Sequence, residues 1–127
     1  MIDLDLELKN TFTFLDSESA ESAQSGKALK LTMTLPKSLS YFAGHFPQFP
    51  VLPAVGLIDI SLFFTKKSFP QFNQSYLKKI KYLKIKAPLG PDQKINIQIS
   101  QENESAFSAI WSTDQAPIAE LNFAFEL

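Results

Sequence analysis

Two titratable side chains stand alone in a long apolar stretch of this sequence. His45 is the only histidine in the chain, and Asp59 is the only formal charge between Lys37 and Lys66. An imidazole, whose ordinary pKa is about 6.5, is the side chain best suited to take a proton near neutral pH. A carboxyl group in apolar surroundings favours its protonated form, so we expect Asp59 to act as a proton donor.

The backbone between these two residues supplies a third component. A helix that begins after Pro53 leaves its first N–H groups, those of Ala54 and Val55, without a partner inside the helix. Such N–H groups can donate to an oxygen that carries developing negative charge. A base, an acid and an oxyanion hole together suit the addition or removal of water next to a carbonyl group.

Each of these features also has a purely structural interpretation. A lone histidine in a loop can serve as a hydrogen-bonding structural residue, and a lone aspartate in a helix can accept from a backbone amide of the loop. Gly44 and Gly56 can simply permit turning and close packing. The prolines at positions 47, 50 and 53 can serve only to stiffen the loop.

The elements that must position this stretch begin with a pair of strands. Residues 4–15 alternate between apolar and polar side chains, which predicts a half-buried strand with one apolar face: Leu4, Leu6, Leu8, Phe12 and Phe14. Residues 16–26 are rich in Ser, Glu and Ala and are predicted to be a solvated connection. A second alternation over residues 29–35 predicts a strand that pairs with the first as a hairpin.

A loop and a helix follow. Residues 37–52 form a long, proline-punctuated loop, and loops of this length in compact domains tend to be functional. Pro53 suits a first helical turn, and residues 54–68 contain no further proline. This segment is apolar nearly all round, which predicts a buried helix with one face formed by Val55, Ile58, Asp59, Leu62 and Phe63.

Alternation returns after the helix and predicts four more strands, at residues 77–87, 95–99, 107–111 and 119–127. The whole chain, residues 1–127, is therefore predicted to be a single α+β domain. Six mostly antiparallel strands would surround one central helix. Because a sheet covers only one side of such a helix, the other apolar side predicts a dimer.

Composition excludes several classes of function. The net charge of −1, with twelve lysines and no arginine, gives no basis for nucleic-acid recognition. Cysteine is absent, which rules out disulfides and sulfur-ligated zinc. Prolines interrupt the apolar residues 42–64, so no membrane span is expected, and the acidic start does not resemble a signal peptide. We expect a soluble cytoplasmic protein without a metal or a cofactor.

The central residues have the pattern Gly44-His45-Phe46-Pro47-x-x-Pro50-Val51-Leu52-Pro53-x-Val55-x-x-x-Asp59. This pattern resembles the signature of hot-dog-fold 3-hydroxyacyl-(acyl carrier protein) dehydratases, in which an acidic residue follows the motif histidine by fourteen positions. The short single-domain form is similar to the dehydratase-like branch associated with aryl-polyene pathways. The resemblance implies a hot-dog fold and a role in fatty-acid-like or polyene biosynthesis.

The resemblance also implies roles for single residues. His45 would remove the C2 proton of a 3-hydroxyacyl thioester, and Asp59 would protonate the departing 3-hydroxyl group. In the family these two residues come from opposite protomers, so the site would require a homodimer, which can assemble further. The amides of Ala54 and Val55 would polarise the thioester carbonyl group.

The acyl chain and its carrier need contacts of their own. By the same resemblance the acyl chain would lie in an apolar tunnel, for which Phe46, Phe49 and Phe63 are the candidate lining residues. An acidic acyl carrier protein would be attracted by lysines at the end of the helix and after it. The candidates are Lys66 and Lys67, with Lys78, Lys79 and Lys81 beyond them.

Two positions depart from the family pattern and keep other functions open. Ala54 stands where the family has glycine, and Gln48 stands where glycine is common. Ala54 therefore motivates an alternative, a catalytically weak acyl-binding or assembly subunit. The same fold also supports thioester hydrolysis, which needs a water-activating carboxylate but not the His-Phe-Pro loop.

Overall fold

Six antiparallel strands form one sheet in the computed structural model, which describes residues 2–15, 28–43 and 50–126. The strands lie side by side in the order β1-β2-β4-β5-β6-β3. The predicted α+β architecture is confirmed. The elements are α1 (Leu4–Glu7), β1 (Phe12–Phe14), β2 (Ala28–Thr34), α2 (Ala54–Ser68), β3 (Leu77–Ile85), β4 (Lys94–Gln101), β5 (Ala106–Ser112) and β6 (Pro117–Phe125), with 3-10 turns at Ser40–Phe42 and Pro70–Phe72.

The start of the chain differs from the prediction. Only Phe12–Phe14 of the expected strand over residues 4–15 is extended, because Leu4–Glu7 forms a helical turn. The Asp3 carboxylate accepts from the Leu6 N–H and caps this turn. Leu6 is 70% exposed while Leu8 is fully buried, so the leucines do not share one face. The β1–β2 hairpin itself is antiparallel, as predicted.

The inner face of the sheet is built from rows of apolar residues in register across the strands. Leu31 of β2 pairs with Ile97 of β4, which pairs with Trp111 of β5. Further along, Ile99 pairs with Ala109, which pairs with Leu121 of β6. All of these side chains are buried. The period-two alternation read from the sequence therefore gives the side of the sheet that carries the core.

Helix α2 lies against this face and has the predicted bounds of 54–68. Its buried residues are Gly56, Leu57, Ile60, Ser61, Phe64 and Thr65. The indole N–H of Trp111 donates to the Ser61 hydroxyl over 2.9 Å, and the Phe64 ring meets Phe12 edge-on. The opposite face, called the outward face below, is the one predicted from the sequence, and its residue Val55 is 53% exposed. It consists of Val55, Ile58, Asp59, Leu62 and Phe63.

Strand β3 is the least regular part of the sheet. It lies at one edge and pairs with β6 alone, with register shifts between Leu77 and Lys79 and between Ile80 and Tyr82. At each shift the regular alternation of side chains between the two faces of the sheet is interrupted. β3 ends at Ile85, two residues before the predicted end of the strand, and Ile85 is 50% exposed. No described helix is long and apolar enough to cross a bilayer.

Candidate active site

The start of α2 presents free backbone donors. Pro53 is the residue before the first helical turn, and its carbonyl oxygen accepts from the N–H groups of Gly56 and Leu57 at 2.9 and 3.2 Å. Among the described residues, the N–H groups of Ala54 and Val55 have no acceptor. Ala54 is helical, so a methyl group at this position requires no unusual backbone angle. These two amides are available to an anionic oxygen.

The segment before the helix is fastened to the turn between β3 and β4. The Leu52 N–H donates to the carbonyl oxygen of Leu89 over 2.8 Å. A side chain at Gly90 would begin only 3.3 Å from the Pro50 carbonyl oxygen, so glycine permits this close approach. These contacts hold residues 50–53, which lead into the helix, against the β3–β4 turn.

Asp59 lies one helical turn beyond Val55 on the outward face of α2 and is half-buried. The hydroxyl group of Tyr41 donates to its Oδ2 oxygen over 2.5 Å. Burial, this hydrogen bond and the charges of Asp59 and Glu7 together raise the pKa of Tyr41 above its ordinary value. The phenol therefore keeps its proton and remains a donor to the Asp59 carboxyl group.

Tyr41 was not predicted from the sequence. It lies eighteen residues before Asp59 in an apolar run, where an aromatic side chain indicates ordinary core. Its polar partner becomes apparent only when the 3-10 turn Ser40–Phe42 is placed against α2. His45, Phe46 and Phe49 lie outside the described residues.

An apolar cleft of about 340 Å³ opens beside the start of α2. Phe63, the described residue of the predicted tunnel, does not line this cleft; its ring packs edge-on against Phe64. The residues that line it come from the proline segment, α2 and the region around the β3–β4 turn. They are Val51, Leu52, Leu57, Ile85, Lys86, Ala87, Pro88, Leu89 and Ile118.

The predicted carrier-binding lysines lie at the far end of α2. The Lys67 ammonium group is 3.7 Å from an Asp5 carboxylate oxygen and 5.4 Å from the centre of the Phe63 ring. The Lys66 ammonium group lies 5.8 Å from the centre of the Phe125 ring. A separate cleft of about 610 Å³ on the sheet is lined in part by Lys78, Lys79 and Lys81.

Metal ligation has no support in the described ranges, where no three His, Cys, Asp or Glu side chains lie close enough to hold an ion together. The groups that the structure brings to the start of α2 are instead two N–H donors, one carboxyl group and one phenol. They can bind an oxygen and hold or exchange a proton.

Comparisons with known proteins indicate a family for this chain. Residues 20–120 match the family model of ApeI-like proteins, described as ApeI dehydratase. The chain is 26% identical over 96 residues to the 3-hydroxyacyl-(acyl carrier protein) dehydratase FabZ of Gluconobacter oxydans, an alignment that covers 66% of this chain. It spans only 56% of the length of that relative.

Two solved structures share the fold. The dehydratase heterocomplex ApeI:P from Xenorhabdus doucetiae superposes with a TM-score of 0.70 at 23% identity, over 83% of this chain and 90% of that chain. A hypothetical thioesterase with coenzyme A from Streptococcus pneumoniae superposes with a TM-score of 0.63 at 6% identity, over 94% and 88%. Both likenesses concern the hot-dog fold alone. The family-model match, which covers residues 20–120, shows that this chain belongs to the ApeI-like dehydratase family.

Proposed function

We propose that this protein removes water from a 3-hydroxyacyl thioester carried by an acyl carrier protein, giving the 2-enoyl thioester. The observation that carries the proposal is the position of Asp59 on the outward face of α2. It lies one helical turn beyond Ala54 and Val55, whose N–H groups have no acceptor among the described residues. Family membership supports the reaction class, and the activity of the Gluconobacter relative supports the substrate class.

The proposed reaction moves two protons and breaks one carbon–oxygen bond. His45 takes the C2 proton, the electron pair left at C2 forms the C2–C3 double bond, and the C3–O bond breaks. Asp59 gives its proton to the departing hydroxyl group, which leaves as water. The amides of Ala54 and Val55 would donate to the thioester oxygen, on which negative charge develops as the C2 proton leaves. The roles of His45 and Asp59 rest on the family pattern.

The apolar cleft is our proposed site for the acyl chain. It borders the first turn of α2 through Leu57, so a chain held there would have its thioester near the free amides. Its walls are aliphatic where Val51, Leu52 and Leu57 meet Ile85 and Ile118, as an acyl chain requires. Phe46 and Phe49, from the loop before the helix, remain candidate lining residues for this site. Phe63 does not line the cleft and could contact the acyl chain only at the outward face of α2.

A second copy of the chain would complete the site. The outward face of α2 exposes apolar surface at Val55, Ile58, Leu62 and Phe63, and β3 leaves one sheet edge unpaired among the described strands. Both features favour association with another chain. The Xenorhabdus dehydratase is a heterocomplex, so a related second chain is the alternative partner.

The decisive experiment is mass spectrometry of a panel of 3-hydroxyacyl thioesters incubated with the purified protein. Dehydration gives a product lighter by one water molecule, whereas thioesterase activity gives free thiol and no enoyl product. We expect Asp59→Asn and His45→Ala each to lower the rate by roughly 100- to 10,000-fold, the usual range for a lost acid or base. Glu104→Gln, which changes an exposed carboxylate elsewhere, is the matched control.

The outcomes separate the three hypotheses. Unchanged rates in both site variants would contradict the proposed mechanism. Binding of the thioester without turnover, together with turnover by Ala54→Gly, would support the acyl-binding subunit instead.

For the dimer, Leu62→Glu on the outward face of α2 should give the mass of a single chain in light scattering. The control Ile110→Glu, at a position that is 42% exposed on the sheet, should not.

Carrier docking at Lys66 and Lys67 is the last part of the proposal. Charge reversal at both positions should raise KM for a carrier-linked substrate and leave KM for the corresponding coenzyme A thioester unchanged. Lys94→Glu, an exposed lysine at the start of β4, is the control. Equal effects on both substrates would contradict a docking role.

A further inference from the structure

Tyr41 is the one side chain that the described residues place in hydrogen-bond contact with the Asp59 carboxyl group. The residue as a whole is only 8% exposed, and its hydrogen bond to Asp59 is partly buried. A buried hydroxyl group favours a fixed partner, because an unpaired one is costly. The 2.5 Å bond to Oδ2 supplies that partner and leaves Oδ1 as the oxygen of Asp59 without a described partner.

The position of Tyr41 is set from both sides. On one side, the Glu7 carboxylate accepts from the N–H and from the hydroxyl group of Ser40, at 2.6 and 2.8 Å. On the other side, Gly56 lets the ring lie against α2, since a side chain there would begin 3.2 Å from Cγ of Tyr41. A chain of contacts therefore runs from α1 through the 3-10 turn to the carboxyl group.

We propose that Tyr41 is a positioning residue for Asp59: it holds Oδ2 so that Oδ1 is the oxygen presented to the substrate. This inference rests on the proposed function of Asp59. A carboxyl group at the end of a rotatable side chain can turn away from the departing hydroxyl group, and a misplacement of about 1 Å can cost up to 100-fold in rate. The hydrogen bond from Tyr41 to Oδ2 restricts that rotation.

The test is Tyr41→Phe, which keeps the ring and removes only the hydroxyl group. We expect kcat to fall by roughly 10- to 100-fold while KM changes by less than about twofold, because the lost contact acts on the chemical step. Tyr76→Phe, at a tyrosine that is 76% exposed, is the matched control and should behave like the wild type.

A second measurement does not depend on turnover. Absorbance titration should show that Tyr41 ionises above the ordinary pKa of a phenol, and Asp59→Asn should lower the pKa of Tyr41. If Tyr41→Phe retains wild-type kcat while Asp59→Asn is inactive, the positioning role is overturned and the proposed function stands. If the wild type converts no thioester but the titration still couples Tyr41 to Asp59, the proposed function fails although the contact is real.

Discussion

The two faces of helix α2 treat their polar groups in opposite ways. On the face turned to the sheet, the Ser61 hydroxyl accepts from Trp111 and the Thr65 hydroxyl donates to the Ser61 carbonyl oxygen, both fully buried. On the outward face, Asp59 keeps one oxygen without a described partner, and Val55 lies over half exposed beside two free amides. The inward polar groups have partners within the chain, whereas among the described residues the outward groups have none beyond the bond from Tyr41 to Asp59.

This difference predicts that substitutions on the inward face will mainly change stability and those on the outward face will mainly change activity or association. The four predictions below test that division, beginning with the largest expected effect.

Phe64→Ala should lower the free energy of unfolding by about 3–5 kcal/mol, the usual cost of deleting a fully buried aromatic ring. Phe64 is fully buried, whereas the adjacent Phe63 is half-buried on the outward face. Phe63→Ala is therefore the control and should cost clearly less in urea unfolding at low protein concentration. Equal losses for the two variants would break the comparison.

Ser61→Ala should lower the free energy of unfolding by about 1–3 kcal/mol, because the buried indole N–H of Trp111 loses its acceptor. Asp59→Asn, on the outward face, should change the unfolding free energy by about 1 kcal/mol or less while lowering turnover by roughly 100- to 10,000-fold. Thermal unfolding of both variants, followed by circular dichroism, measures the contrast. A larger stability loss for Asp59→Asn would reverse it.

Alkaline pH should loosen the contact between Tyr41 and α2. The folded chain raises the pKa of Tyr41 above 10.0, so the stabilisation by the protonated phenol is complete below that pH. It is lost as the pH rises through the pKa of the folded state, where the phenol ionises. Urea unfolding at about pH 9 and about pH 11 should show a smaller decrease for Tyr41→Phe than for the wild type. Identical decreases would argue against a raised pKa.

Lys67→Ala should have the smallest effect, about 1 kcal/mol or less, because its ion pair with Asp5 is solvent-exposed. Any loss should shrink further in high salt, where exposed charges are screened. A loss that persists in high salt would point to packing of the lysine stem on Phe63 instead. Chemical unfolding at two ionic strengths distinguishes these cases.

Much of the fold could be predicted because its signals are local. Residues 54–68 lack proline and follow Pro53, and the helix has those bounds. The alternation at residues 95–99 likewise falls within β4. The first turn was mistaken for a strand because Leu4, Leu6 and Leu8 alternate, while the deciding feature is the single Asp3 cap. Alternation cannot separate a short capped turn from a strand.

The site was predictable only in part. The spacing of Asp59 and the helix start follow from the sequence, because both depend on one continuous segment. Tyr41 and the aliphatic cleft depend on contacts between distant segments, such as Leu52 with Leu89, and no local pattern reports them. The cleft beside α2 is lined mainly by aliphatic side chains, and of the three predicted tunnel phenylalanines only Phe63 lies among the described residues, outside that cleft.

Trp111 gives this chain a built-in optical reporter, since it is the only tryptophan present. Its indole is bonded to the central helix at Ser61 and lies in register with Ile97 and Ala119 of the neighbouring strands. Any event that lifts the helix from the sheet must break that bond and admit solvent to the ring. The emission wavelength of the unlabelled protein would then follow the seating of the helix in real time, with no dye attached.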